Sequence, residues 1–218
     1  DNVAQMLRDP AFVEIAHKGE TAETIDQFIV PVGQMQKPAL LLALLEERGS
    51  KRVIVFTGTK TRAEICMNQL VRAGYRADSI HSDKTQAQRK RALDAFSKGT
   101  VDVLVATDVL ARGIDVSSIA YVVNYDLPES PEDYVHRIGR TGRAGKTGCA
   151  ISFVSPEAKP ELLEIEKLLG KKIPATTLKS YDNSEAVTAL ENRFVPKTAA
   201  RSAAAFSRSM RTRGRGWR

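Results

Sequence analysis

A chain of 218 residues, 42% hydrophobic and 27% charged, can bury one medium-sized core, and none of its apolar runs approaches the roughly 20 residues that a membrane-spanning helix needs. The net charge of +7 sits at one end: Arg193, Lys197, Arg201, Arg208, Arg211, Arg213, Arg215 and Arg218 are eight cations with no acid among them, leaving 25 cations against 26 acids in residues 1–192. Cys66 and Cys149 are too few and too far apart for a disulfide framework or a Cys-x-x-Cys zinc site, which fits a reducing, cytoplasmic setting.

Asp1-Asn2-Val3-Ala4 carries neither an initiator Met nor a signal peptide, so we expect further sequence before it. Phe12–Ala16 and Ile25–Val32 read as extended segments, and Gln36–Arg48 as a Leu-rich amphipathic helix stopped by Gly49. Arg52–Phe56 is a short apolar strand, followed by a helix over Lys60–Ala73 ending at Gly74. Arg76–Ile80 is the next strand, Thr85–Ser97 a helix with Ala87, Ala92, Leu93 and Phe96 available for an inner face, and Val101–Ala106 a further strand. Ala120–Asn124 and Gly148–Val154 supply two more, separated by a helix at Pro131–Ile138 with proline in its first turn. Pro160–Leu169 is the last helix, and beyond about Tyr181 periodicity fades. Continuous apolar strands alternating with helices predict an α/β fold around a parallel sheet, with ligands at the carboxyl ends of the strands.

The candidate chemistry lies in those loops. Gly145-Lys146-Thr147 resembles the end of a phosphate-binding Gly-x-x-x-x-Gly-Lys-Ser/Thr loop, but the first glycine would fall on Arg140 and a helix, not a strand, precedes it. With no other Gly-Lys-Ser/Thr and no Asp-Glu-Ala-Asp, the usual ATP cradle and metal-binding acids are missing from these residues. Arg137, Arg140 and Arg143 stand three apart in a Gly-rich segment; they make either a surface basic patch or a set of guanidinium forks for phosphate oxygens. Thr107 through Asp115 follows a buried strand, where Thr107 can donate to a phosphate and Asp115 can accept from a sugar hydroxyl. Gln86 and Arg89 suit an ordinary exposed helix face, and Thr57-Gly58-Thr59 suits either a helix cap or an anion site. The basic end is either a solvated tail or a sequence-independent polyanion handle.

Taken in order, Val55–Lys60, His81-Ser82-Asp83 with Gln86 and Arg89, Ala106–Asp115 and Tyr134–Gly145 resemble the second-domain motifs of DEAD-box RNA helicases over roughly residues 12–170. Ser82 departs from the family's usual glycine. The resemblance implies a RecA-like parallel sheet with helices on both faces. It divides the chain into a connector with leading extended segments (1–32), the helicase C-terminal domain (33–180) and a basic tail (181–218). It implies Arg143 as arginine finger and Arg140 as a second contact to the terminal phosphate of ATP, Asp115 near the ribose or metal-bound water, and Arg112 bridging to acids of a first domain. Thr59, Arg89, Thr107 and Gly113 match positions that grip the RNA backbone, and Gln86 and His136 a pair that couples the RNA and ATP sites. ATP and Mg2+ would then be held mainly by an N-terminal RecA-like domain, RNA would be bound with little sequence specificity, no metal would be ligated by this chain, and the chain alone would not hydrolyse ATP. The alternatives are a stand-alone RNA- or partner-binding module, and a DNA translocase of the same superfamily, whose last motif seldom reads His-Arg-Ile-Gly-Arg-Thr-Gly-Arg.

Overall fold

Val53–Phe56, Val103–Ala106 and Tyr121–Asn124 are buried at every position, as continuous apolar runs are when a sheet is covered on both faces. The computed structural model describes residues 25–108, 119–142, 148–179, 181 and 186. Its strands are β1 (Ile25–Pro31), β2 (Val53–Phe56), β3 (Ala77–Ile80), β4 (Val103–Ala106), β5 (Tyr121–Asn124) and β6 (Gly148–Val154). They form one sheet in the order β1-β6-β5-β2-β4-β3, every pairing parallel. The helices are α1 (Lys37–Arg48), α2 (Lys60–Arg72), α3 (Gln86–Ser97), α4 (Pro131–Ile138) and α5 (Lys159–Leu169).

The two-residue alternation of the strands assigns the helices to faces. Val53, Val55, Val103, Val105, Val123, Ile151 and Phe153 pack with Leu40, Leu41, Leu44 and Leu45 of α1 and with Ala63, Cys66 and Leu70 of α2. Ile54, Phe56, Leu104, Ala106 and Val122 point the other way, onto Ala92 and Phe96 of α3. On that same side Ile25, Ile29, Ala150 and Val154 meet Tyr134 and Ile138 of α4 and Leu162 and Ile165 of α5. Each buried leucine of α1 contributes roughly 2 kcal/mol, which anchors the helix whose first turn brings Lys37 to the carboxyl edge of the sheet.

Local signals fix the helix ends. Thr59 caps α2 by accepting from Arg62 N, and Thr85 with Gln88 forms a complete capping box on α3. At the other end of α3, Arg52 Nη1 donates to Phe96 O at 2.8 Å and Ser97 O at 3.0 Å, satisfying carbonyls that a helix terminus leaves open.

The helices on both faces and the parallel sheet agree with the sequence reading; the place of β1 and several element bounds do not. Ile25–Val32 was expected to lie ahead of a domain starting at residue 33, yet Ile25–Pro31 pairs along its whole length with β6 as an edge strand. Its outer edge is covered in turn by the chain after α5, where Ile29 N donates to Pro174 O and Thr176 N to Ile29 O. The strands expected to begin at Arg76 and Val101 begin at Ala77 and Val103. Arg76 and Asp102 are held instead by each other, side chain to side chain at 2.7 Å and Asp102 N to Arg76 O at 2.8 Å. Phe12–Ala16 and the basic tail lie outside the described residues.

Candidate functional site

Because every strand runs the same way, the residues after β5, β2, β4 and β3 line up along one edge: Tyr125–Leu127, Thr57–Thr59, Thr107–Asp108 and His81–Thr85. With strands about 4.8 Å apart, this row spans roughly 14 Å.

The loop after β2 is held from below. Thr57 is buried, with its N–H on Ala106 O, and Gly58 N donates to Asp126 Oδ2 at 3.0 Å. Asp126 Oδ1 receives Lys37 Nζ at 2.8 Å and Arg62 Nη1 at 3.0 Å. Burial works to raise the Asp126 pKa, but Lys37, the Gly58 N–H and Arg62 outweigh it and hold the carboxyl below its ordinary range. Burial lowers the pKa of Lys37, and the Asp126 charge opposes this. Thr59 stands exposed above this arrangement.

The loop after β3 is clamped from two helices. Arg89 of α3 donates Nε to Lys84 O and Nη2 to Ser82 O, both at 3.0 Å. From α2, Glu64 Oε1 accepts from Ser79 and lies 2.7 Å from His81 Nε2 and 3.3 Å from Lys84 Nζ. Burial works to raise the Glu64 pKa, yet the hydrogen bonds from Ser79 and His81 and the Lys84 charge hold it at about 2. Gln86 is exposed in the first turn of α3, and Thr107 is 8% exposed with its N–H on Ile80 O.

The arginine segment divides. Tyr134, Arg137, Ile138 and Thr141 face the sheet, while His136 and Arg140 stand on the outer side of α4 and its end. Arg137 is fully buried, with Nε and Nη2 forked onto Asp108 at 2.5 and 2.7 Å, Nη1 on Asp126 O at 2.6 Å, and its guanidinium 5.2 Å from the centre of the Phe56 ring. Spacing left the three arginines as either a surface basic patch or forks for phosphate oxygens; Arg137 is neither, since its anion is Asp108 of its own chain. Arg140 is partly exposed, with Nε on His136 O at 3.2 Å. His136 is 48% exposed and 3.6 Å from Asp133. Gly142 and Gly148 approach each other closely. Gly142 has φ 72°, and a Cβ on Gly148 would lie 2.6 Å from Gly142 N, so both positions require glycine. Arg112, Gly113, Asp115 and Arg143 lie outside the described residues.

This edge suits an anion better than a metal. Asp108 and Asp126 are already matched by Arg137, Lys37 and Arg62, and no group of three or more His, Cys, Asp or Glu among the described residues could hold a metal ion. The Mg2+ implied by the resemblance therefore finds no fit among them. Cys66, buried and with its thiol pushed up to about 12, is a small hydrophobe rather than a nucleophile.

The family described as helicase conserved C-terminal domain matches residues 36–145. The ATP-dependent RNA helicase CshA of Listeria monocytogenes is 43% identical over 180 residues, which are 83% of this chain and 35% of that protein. The C-terminal domain of the DEAD-box protein Dbp5, in a structure of that domain alone, is 33% identical with a TM-score of 0.67, over 78% of this chain and 99% of the other. The chain belongs to the DEAD-box family. It corresponds to the C-terminal, RecA-like helicase domain of DEAD-box proteins, and it spans about a third of the length of the curated relatives it matches. S. cerevisiae Dbp5 bound to RNA and ADP BeF3 is likewise similar, at TM-score 0.67 and 33% identity over 77% of this chain and 46% of that one.

In this DEAD-box domain the residues that sequence reasoning passed over are the ones that hold the edge together. Lys37 was legible in principle, since it occupies the apolar stripe Lys37, Leu40, Leu41, Leu44, Leu45 where a hydrophobe is the rule. Its partner Asp126, 89 residues away, was not.

Proposed function

We propose that this domain is the second half of an ATP-driven RNA helicase, giving Arg140 and Arg143 to the terminal phosphate of ATP and Thr59, Arg89, Thr107 and Gly113 to the RNA backbone. The reading rests on the division along α4: Arg137 is turned inward and satisfied by Asp108 and Asp126 O, while Arg140 is turned outward. Bound ATP with Mg2+ supplies the phosphoryl group, held mainly by an N-terminal RecA-like domain. This chain's arginines place positive charge where negative charge develops, a contribution on the order of 10³–10⁵ in rate when the finger is in place. Arg112 bridges to acids of that first domain, Asp115 sits beside the ribose or metal-bound water, and Gln86 and His136 act in coupling.

Arg89 supports the RNA assignment: Nε and Nη2 are held by backbone carbonyls, which fixes the plane of the guanidinium and leaves Nη1 without a protein partner among the described residues. Such contacts grip phosphate and sugar and give binding that is largely independent of sequence. S. cerevisiae Dbp5, to which this domain is similar, has been seen bound to RNA and ADP BeF3, which supports RNA as a ligand of the assembled protein. The test is ATP turnover with RNA present: we expect it from the helicase containing this domain and none from the 218-residue chain alone. Turnover by the chain alone would overturn the reading.

A further inference from the structure

Glu64 belongs to none of the motif segments, yet it ties together the two elements that carry the proposed RNA contacts. It projects from α2, whose N-cap is Thr59, and its Oε1 accepts from Ser79 on β3 and faces His81 Nε2 and Lys84 Nζ in the loop that follows. Ser79 is fully buried and His81 is 5% exposed, so both need an acceptor inside the protein. The bond to Glu64 is the only one the His81 ring makes among the described residues, since Nδ1 is buried and unpartnered.

The loop itself has little else to hold it. Ser82 and Asp83 are exposed, and its other ties are Lys60 to Asp83, Lys84 N to His81 O, Lys84 to Asp78, and the two carbonyls that receive Arg89. Those carbonyls are what orient Arg89. A shift of residues 82–84 therefore carries the Arg89 guanidinium with it, and Glu64 sets where those residues sit relative to Thr59.

We propose that Glu64 is a positioning residue for RNA binding: through His81, Lys84 and the Ser82 and Lys84 carbonyls it fixes Arg89 at a set separation from Thr59. The proposal rests on the reading of Thr59 and Arg89 as RNA contacts. Glu64 touches no RNA itself. Its carboxylate, held at about 2, stays charged throughout the working pH range and so keeps all three donors turned toward it. Removing the charge while keeping the shape, as in Glu64→Gln, leaves a neutral amide oxygen where the three donors now share the carboxylate Oε1, so each charge-assisted contact weakens.

The experiment compares Glu64→Gln and Arg89→Ala with the parent in the full-length helicase, measuring ATP turnover against RNA concentration, together with amide hydrogen exchange. For Glu64→Gln we expect the RNA concentration giving half-maximal stimulation to rise roughly tenfold, as for loss of one charge-assisted hydrogen bond. The maximal rate at saturating RNA and the turnover without RNA should be unchanged, and exchange should quicken in residues 82–89 but not in β1 or β6. A merely structural role would move the maximal rate, or exchange throughout the sheet, and would overturn the proposal. Arg89→Ala separates the premises: if it raises half-saturation while Glu64→Gln does not, the positioning role fails and the RNA reading stands. If Arg89→Ala has no effect, the RNA reading of Arg89 fails, and the proposal with it.

Discussion

Asp108→Asn tests whether Arg137 is part of the frame. The substitution keeps the shape of the side chain but turns one of its two acceptors into an amide that faces a guanidinium N–H. Arg137 has no exposed side-chain surface, so water cannot take the place of the lost carboxylate. Removing one partner of a buried ion pair costs about 3–5 kcal/mol. The Asp108 side chain is 37% exposed, and water screens part of that loss, which places the cost at about 3 kcal/mol. In a domain of this size each kcal/mol moves Tm by about 2–4 °C, giving a drop of roughly 6–12 °C by circular dichroism. Arg137→Met removes the buried charge altogether, so the double variant should be less destabilised than the sum of the two single ones. A fall under about 2 °C for Asp108→Asn, or additivity within ~0.5 kcal/mol, would refute the view that this pair holds α4 against the loop after β4.

Lys37→Met should cost about 2 kcal/mol in denaturant unfolding, less than for an isolated buried pair, because Arg62 and the Gly58 N–H still hold Asp126. Gly148→Ala, whose new Cβ would meet Gly142 N at 2.6 Å, should cost about 1–3 kcal/mol in the same measurement. Acid unfolding should reveal Glu64. Its pKa is about 2 in the folded chain against 4.5 ordinarily, so its stabilisation is fully present above pH 4.5 and is lost as pH falls through 2. Glu64→Gln should therefore narrow its stability gap to the parent across that window, and a gap that stays constant with pH would contradict the assignment.

Much of this architecture was legible because the strands are continuous apolar runs and the helices carry stripes that end at glycine. The place of β1 was not, since its partner β6 lies at the far end of the domain sequence and only the topology joins them. The site divided in the same way. Thr59 stands just after β2, where a parallel sheet predicts it, and Arg89 lies in the helix after the β3 loop, where only the resemblance marked it; spacing could not tell Arg137 from Arg140. That distinction depends on α4 packing Tyr134, Arg137 and Ile138 inward, and on Asp108 arriving from a loop 29 residues earlier. Chain-distant pairs of this kind leave no periodic trace. Lys37 with Asp126, and Glu64 with Ser79 and His81, were passed over for that reason.

The central claim is that this domain completes an ATP site by contributing arginines from across a cleft. Arg143→Ala in the full-length helicase tests it most directly, with RNA-stimulated ATP turnover and nucleotide binding measured side by side. The account predicts that turnover falls by on the order of 10³ or more while nucleotide affinity is largely kept; turnover equal to that of the parent would contradict it.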